Sequence, residues 1–209
     1  MSRERREPTE WLFTNALMRQ AILAIGDVMG ERGLKVVLRQ AGLDRYVDQP
    51  PPNDLELGAT AAEYAALGQA VQDFYGRAGK GILQRIGRTS FRYSLEEQSA
   101  LLGVAGVALK LMPQKARVKF ILTQMAKALM EVNEETYIEV YETPEGFVFD
   151  NYACSLCHTR QADHPICHVL VGSIQEAVKW ASGQDYEVRE TECRAMGAEA
   201  CRFLVKVGS

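Results

Sequence analysis

The sequence predicts an α+β fold in which a helical layer packs on a small antiparallel sheet. Apolar residues recur at helical spacing through most of the first 132 residues. At Glu135 the apolar period changes from that of a helix to that of a strand, and two more strand-like runs lie near the carboxyl end of the chain. Helices first and strands last is the order expected of an α+β domain.

The first part of the chain predicts two helices and a crossing. Thr9 can cap a helix that starts at Glu10, and Gly30 and Gly33 should break it. A shorter helix is expected over 34–41. The segment 48–54 holds three consecutive prolines, so we expect an extended surface crossing there.

Two capping boxes predict the next helix starts. The box at 60–63 should open a helix to about Gly76, and the box at 94–97 should open a helix over 95–112. The latter is apolar nearly all round, which is typical of a helix buried on every side. Between them, glycines should let two helices approach closely; they are Gly76, Gly79 and Gly81.

An amphipathic helix should follow Pro113, and the sheet should begin after it. The apolar stripe of that helix consists of Val118, Ile121, Leu122, Met125, Leu129 and Val132. Next come a β-hairpin over 137–149, a helix over 169–181, and strands over 186–192 and 201–207.

Length and charge limit the function classes. With 209 residues and a formal net charge of -3, we expect one domain over 1–209 and no basic face for nucleic acid. The domain should comprise a frayed tail (1–8), a helical part (9–133) and a sheet and metal-binding part (134–209). No run is apolar enough to predict a membrane span, and we see no signal peptide, so we expect a cytoplasmic protein.

All five cysteines and all three histidines fall between Cys154 and Cys201. Buried cysteines used for packing would be scattered along the chain instead. Thiols and imidazoles gathered in one segment therefore predict a metal site first and disulfides second.

Strand phase suggests which residues hold the metal. Glu190 shares the apolar phase of its strand with Val188, and Cys201 shares that of the last strand with Phe203. A buried carboxylate is costly unless a cation accompanies it. One carboxylate and three thiolates would form a closed tetrahedral site for structural Zn²⁺; they are Cys167, Glu190, Cys193 and Cys201. The alternative is that Glu190 pairs with Arg189 or Arg194 and that the cysteines only pack.

The other two cysteines leave several alternatives open. A redox switch or a second metal site could use Cys154 and Cys157 with His158 or His164. The same residues could support the zinc loop or replace a predicted ligand. The Cys154–His158 run also fits the c-type haem attachment pattern, which requires export. His168 should be a capping or packing histidine.

The run from Cys167 through Glu190-Thr-Glu-Cys193 and Gly197 to Cys201-Arg-Phe resembles the 4-vinyl reductase family, most strongly over 147–207. That family includes the sensory domains of phenol- and xylene-responsive activators and hydrocarbon-binding proteins. The resemblance implies a zinc on Cys167, Glu190, Cys193 and Cys201. It also implies a fold similar to that of the TRAPP trafficking subunits, often dimeric, with an apolar cavity.

The chain departs from the phenol sensors at the residues that grip the ligand hydroxyl. Those sensors use a His and a Trp upstream of the zinc cysteines, whereas this chain has no His before His158 and no Trp between Trp11 and Trp180. A more apolar or larger ligand than phenol is therefore expected. Any regulatory output should pass through a partner.

Three functions follow. We favour a zinc-stabilised module that binds a small apolar or aromatic molecule, with a sensory or carrier role, as a homodimer. The alternatives are an accessory protein or reductase in tetrapyrrole (bacteriochlorophyll-type) metabolism, and a protein-interaction subunit. No dinucleotide fingerprint supports a reductase, so we favour a non-enzymatic role and leave catalysis open.

Overall fold

The computed structural model describes residues 11–97, 109, 111–132 and 135–207. In chain order the elements are β1 (Leu12–Phe13), α1 (Asn15–Gln40), β2 (Ala59–Thr60), α2 (Ala61–Tyr75), α3 (Gly79–Glu97), α4 (Gln114–Val132), β3 (Ile138–Thr143), β4 (Gly146–Asn151), α5 (His168–Ser182), β5 (Glu187–Glu192) and β6 (Cys201–Lys206). The tail predicted over 1–8, the cap at Thr9 and most of the helix predicted over 95–112 lie outside the described residues.

The main sheet has the strand order β3-β4-β6-β5, and each neighbouring pair is antiparallel. Its inner face carries fully buried aromatic side chains, including Phe149 opposite Phe203. The predicted α+β class is confirmed, as are the hairpin and the two strands that follow α5.

The first helix begins later than predicted. Leu12–Phe13 pairs with Ala59–Thr60 as a short two-stranded sheet, and Thr14 is extended, so α1 starts at Asn15 rather than at Glu10. Gly30 has a φ of 74°, and it interrupts the helix where a break was predicted. The predicted break at Gly33 is wrong, because the helix has resumed by that residue.

One predicted capping box is confirmed and the other is wrong. At the start of α2, the Thr60 hydroxyl accepts a hydrogen bond from the Glu63 backbone N–H at 3.1 Å. The Glu63 carboxylate accepts one from the Thr60 N–H at 3.0 Å. Ser94 instead lies inside α3, where its hydroxyl donates to Gln20 Oε1 at 2.8 Å.

Close helix packing occurs at other glycines than those predicted. A Cβ on Gly87 of α3 would lie 1.9 Å from the Val169 carbonyl oxygen, and one on Gly172 of α5 would lie 1.9 Å from that of Gln84. The two backbones therefore touch, and the Ser173 hydroxyl donates to the Gly87 carbonyl at 3.0 Å. A Cβ on Gly81 would meet nothing within 4 Å. The contact between α3 and α5 fixes the start of α5, and hence Cys167, against the helical layer.

Within the described residues, the structure has no helix long and apolar enough to cross a membrane.

Candidate metal centre and adjoining cavity

Three separate segments bring all five cysteines to one place. Cys154 and Cys157 lie in the loop after β4, and Cys167 occupies the N-cap position of α5. Cys193 follows β5, and Cys201 begins β6. All five are free thiols and all are buried. The sheet and α5 thus converge on a sulfur-rich corner, which we call the cysteine corner.

The distances between sulfur atoms fit a mononuclear thiolate site. The Sγ atoms of Cys167, Cys193 and Cys201 form a nearly equilateral triangle with sides of 3.9, 3.8 and 3.9 Å. A tetrahedral Zn²⁺ with Zn–S bonds of about 2.3 Å separates its sulfur ligands by about 3.8 Å. A disulfide would need about 2.05 Å. The triangle is therefore one face of a site that could hold a cation.

Glu190 lies close to the sulfur triangle. A carboxylate oxygen of Glu190 lies within 4.8 Å of the three sulfurs, and they lie within that distance of one another. Its Oε2 accepts a hydrogen bond from the Cys167 backbone N–H at 2.8 Å. Its Oε1 is buried and has no hydrogen-bond partner among the described residues. Arg189, a predicted alternative partner, pairs with Glu187. A buried acceptor left over in this way suits a cation.

The turn between β5 and β6 places a backbone donor beside Cys201. Gly197 has a φ of 90°, a left-handed conformation that favours glycine, and its N–H donates to the Arg194 carbonyl. The turn directs the Arg194 backbone N–H at the Cys201 sulfur, 3.3 Å away. An N–H donor of this kind stabilises a thiolate.

Without a cation, the acidic groups of this corner do not all ionise together, because the pKa is raised for some of them and lowered for others. Burial, and after it the charge of Cys193, raises the pKa of the Glu190 carboxyl to about 9. Burial also raises the pKa of the Cys167 thiol well above its usual value, with the neighbouring thiols adding to the effect. Contacts with Cys157 and then Cys167 lower the pKa of Cys154. A dication would favour loss of the protons from the groups whose pKa is raised.

The structure brings Cys154 and Cys157 to Cys167 and Cys201, and it places the histidines elsewhere. The Cys154–Cys167 sulfur distance is 3.5 Å and the Cys157–Cys201 distance is 3.3 Å. The His158 ring stacks on Trp11 with centroids 4.2 Å apart.

The remaining two histidines do not join the sulfurs in a group of close ligand atoms either. His164 is exposed beside Asp163. His168 is buried in the first turn of α5, as a packing histidine would be, and burial lowers its pKa to about 4. Among the described residues, none of the groups of close ligand atoms includes a histidine.

A cavity of about 640 Å³ adjoins the cysteine corner. The loop residues Cys154, Ser155 and Leu156 form part of its wall, so the loop serves both sites. Most other wall residues come from α1, α3, α4 and α5; they include Leu17, Phe91, Leu95, Ile121, Met125, Leu129, Val169, Leu170 and Ser173. The wall is mostly apolar by area, and it also carries polar side chains, among them Gln20, Ser90, Gln124 and Asn151. Apolar surface combined with a limited number of polar groups is typical of a ligand site.

The stripe predicted on α4 divides between core and cavity. Val118 and Leu122 are fully buried, whereas Ile121, Met125 and Leu129 line the cavity. Periodicity shows which face of a helix is covered, and it does not distinguish packed side chains from those that border a space. The cavity residues therefore could not be identified from the sequence.

A family comparison covers the metal-binding part of the chain. Residues 147–207 match the 4-vinyl reductase (4VR) domain. The match confirms the predicted family resemblance for that segment, which contains all five cysteines and Glu190. The more specific relatives, the phenol and xylene activators and the TRAPP subunits, stay predictions. No curated protein matches the chain.

Solved structures resemble the whole fold. An H-NOX protein from S. oneidensis in the Fe(II)NO ligation state has a TM-score of 0.58 at 12% identity, with 92% of this chain and 100% of that chain covered. A double variant of Tt H-NOX has a TM-score of 0.56 at 13% identity, with 94% and 95% covered. At this identity the similarity shows the fold alone. The α+β arrangement around the 4VR segment (147–207) is thus one that H-NOX proteins share.

Proposed function

We propose that the chain is a zinc-stabilised module that binds a small apolar or aromatic molecule, with a sensory or carrier role. The observation that carries the proposal is the apolar cavity of about 640 Å³ whose wall includes the cysteine loop. A bound molecule would contact the segment that holds Cys154, and this contact would link occupancy of the cavity to the metal corner.

The proposed zinc ligands are Cys167, Glu190, Cys193 and Cys201. The sulfur triangle, the buried Glu190 Oε1 and the backbone donor at Cys201 support them. Four protein ligands leave no open position, so the cation would stabilise the fold and would take no part in catalysis.

Two buried hydroxyls indicate that the ligand carries a polar group. Thr14 and Thr136 both line the cavity, and neither buried hydroxyl has a hydrogen-bond partner within the described part of the chain. Thr14 occupies the N-cap position of α1, yet its hydroxyl makes no capping bond. The first-turn N–H groups of Asn15 and Ala16 donate to loop carbonyls instead. A small shift of either side chain would bring its hydroxyl to a hydroxyl, carbonyl or carboxylate on the ligand.

The direct test is native mass spectrometry of an untagged preparation, which should reveal a co-purifying apolar or aromatic molecule. With the cavity emptied, N-phenyl-1-naphthylamine should bind at one molecule per chain with enhanced fluorescence. The variant Met125→Trp places a larger side chain in the cavity wall and should weaken binding at least about tenfold, the effect of about 1.4 kcal/mol.

Val36→Trp is the matched control, because Val36 is 46% exposed on α1, away from the cavity wall and the cysteine corner. It should bind the probe as the unchanged protein does. Equal loss in both variants, or no saturable binding to the unchanged protein, would contradict the proposed cavity.

The polar end of the ligand can be tested at Thr136. Thr136→Val removes a buried hydroxyl that has no described partner, so the free energy of unfolding should stay unchanged or rise. Affinity for 1-naphthol should fall about tenfold, and affinity for naphthalene should stay constant. A parallel loss for both probes, measured by displacement of the fluorescent amine, would show that the hydroxyl makes no ligand contact.

A haem ligated by histidine or cysteine does not fit this cavity. One neighbouring structure concerns haem redox potential and porphyrin distortion, with a TM-score of 0.53 at 12% identity and 93% of this chain and 99% of that chain covered. Histidine and cysteine are common axial ligands of haem iron. All three histidines lie outside the cavity wall, and the sulfur of Cys154 belongs to the cysteine corner. A role in tetrapyrrole metabolism and a role as a protein-interaction subunit stay alternatives. No contact among the described residues supports either role.

Compartment and assembly remain proposals as well. Five free thiols suit a reducing compartment, which favours the cytoplasm. Homodimerisation rests on the family resemblance, and light scattering on the untagged protein tests it directly.

A further inference from the structure

Six ligand groups in the cysteine corner form two overlapping sets of four. One set is Cys154, Cys157, Cys167 and Cys201, and the other is Cys167, Glu190, Cys193 and Cys201. Within each set, all ligand atoms lie within 4.8 Å of one another. Cys167 and Cys201 belong to both sets, and their sulfurs are 3.8 Å apart.

Each set of four ligand atoms could surround one cation as a tetrahedron. The two tetrahedra would share the edge between the sulfurs of Cys167 and Cys201, and together they would include all five cysteines of the chain. We propose that the corner holds two divalent cations bridged by the thiolates of Cys167 and Cys201. Cys154 and Cys157 would complete the first site, and Glu190 and Cys193 would complete the second. The second site is the one already proposed as the zinc site, so this inference rests on the proposed function and extends it.

The sulfur distances support the additional site. Cys154 lies 3.5 Å from Cys167, and Cys157 lies 3.3 Å from Cys201, so each terminal thiol approaches a different bridging thiol. Both distances are far from the length of a disulfide, about 2.05 Å. They are somewhat shorter than the separation of about 3.8 Å between thiolates on one Zn²⁺, so binding of the ion would move these sulfurs slightly apart.

Charge supports a second cation as well. Five thiolates and one carboxylate carry six negative charges when ionised, and one dication leaves four of them uncompensated. All five cysteines are at most 4% exposed, so water cannot screen this charge well. A second dication would reduce the uncompensated negative charge from four to two.

The chemical class of the cation follows from the donors. Thiolate-rich tetrahedral sites select soft or borderline ions, and Zn²⁺ is the most suitable among common divalent metals. Hard cations such as Mg²⁺ and Ca²⁺ prefer oxygen ligands, and the corner offers a single carboxylate.

Zinc stoichiometry tests the proposal. Native mass spectrometry of the untagged, reduced protein should give two zinc ions per chain. The double variant Cys154→Ser with Cys157→Ser should retain one, and so should Glu190→Gln with Cys193→Ser. One zinc in the unchanged protein that persists in the Cys154 and Cys157 variant would overturn the bridged pair and leave the proposed zinc site intact. No zinc in the unchanged protein would overturn both.

A spectroscopic test avoids dependence on the variants. The protein loaded with ¹¹³Cd²⁺ should give two cadmium NMR signals that are coupled to each other through the bridging sulfurs. A single signal at saturating cadmium, or two signals without mutual coupling, would contradict shared thiolates at Cys167 and Cys201.

Discussion

Cys167→Ser should release the bound metal and lower the free energy of unfolding by at least about 3 kcal/mol, since structural zinc sites contribute directly to folding. Cys167 belongs to both sets of ligand atoms, so this one change weakens every site the corner can form. It also lies at the start of α5, where loss of the cation would free the helix end from β5 and β6. A chain of this size should lose about 10 °C in Tm. Elemental analysis and calorimetry check the two effects together.

His164→Ala provides the control for Cys167→Ser. His164 is a potential ligand in the same segment, but its side chain is 67% exposed and its ring pairs with Asp163. Metal content and Tm should match those of the unchanged protein. A Cys167→Ser variant that keeps its metal and its Tm would show that the cysteines only pack.

Gly172→Ala should destabilise the protein by about 3 kcal/mol, at the upper end of the cost of overpacking a core. The added Cβ would lie 1.9 Å from the Gln84 carbonyl oxygen, and backbone cannot rotate aside as a flexible side chain does. Helices α3 and α5 would have to separate, which would also move Val169 and Leu170 in the cavity wall. Urea unfolding should show a lower midpoint, and affinity for N-phenyl-1-naphthylamine should fall with it.

Gly81→Ala isolates the steric effect, because it makes the same change in an exposed turn of α3. Nothing lies within 4 Å of the added Cβ, and alanine favours the helix by about 0.5–1 kcal/mol over glycine. Gly81→Ala should therefore be neutral or stabilising. If Gly172→Ala behaved in the same way, the close approach of α3 and α5 would be wrong.

Elements with strong periodicity could be predicted from the sequence. The boundaries of α4 and α5 and the strand after α5 follow from apolar spacing and from the breaks at Pro113 and Gly183. Capping chemistry succeeded at Thr60 because the chain before it is extended. It failed at Ser94 because the α3 helix continues through that residue, and its hydroxyl meets Gln20 instead. A local motif cannot show whether a helix has already begun.

The candidate site was only partly predictable. Strand phase pointed to Glu190 and Cys201, since a strand alternates its faces with a fixed period. The loop that carries Cys154 and Cys157 has no period, so nothing local to it predicts that these thiols reach Cys167 and Cys201. The contact between α3 and α5 is equally non-local, because each of its glycines alone resembles a weak point in a helix.

We propose that buried thiolates of the 4VR segment hold a cation beside the cavity. Zinc K-edge absorption spectroscopy of the untagged protein tests it most directly. We expect a first shell dominated by sulfur at about 2.3 Å with a minor oxygen contribution, since Glu190 joins the thiolates. A shell of nitrogen and oxygen without sulfur, or no bound zinc, would contradict it.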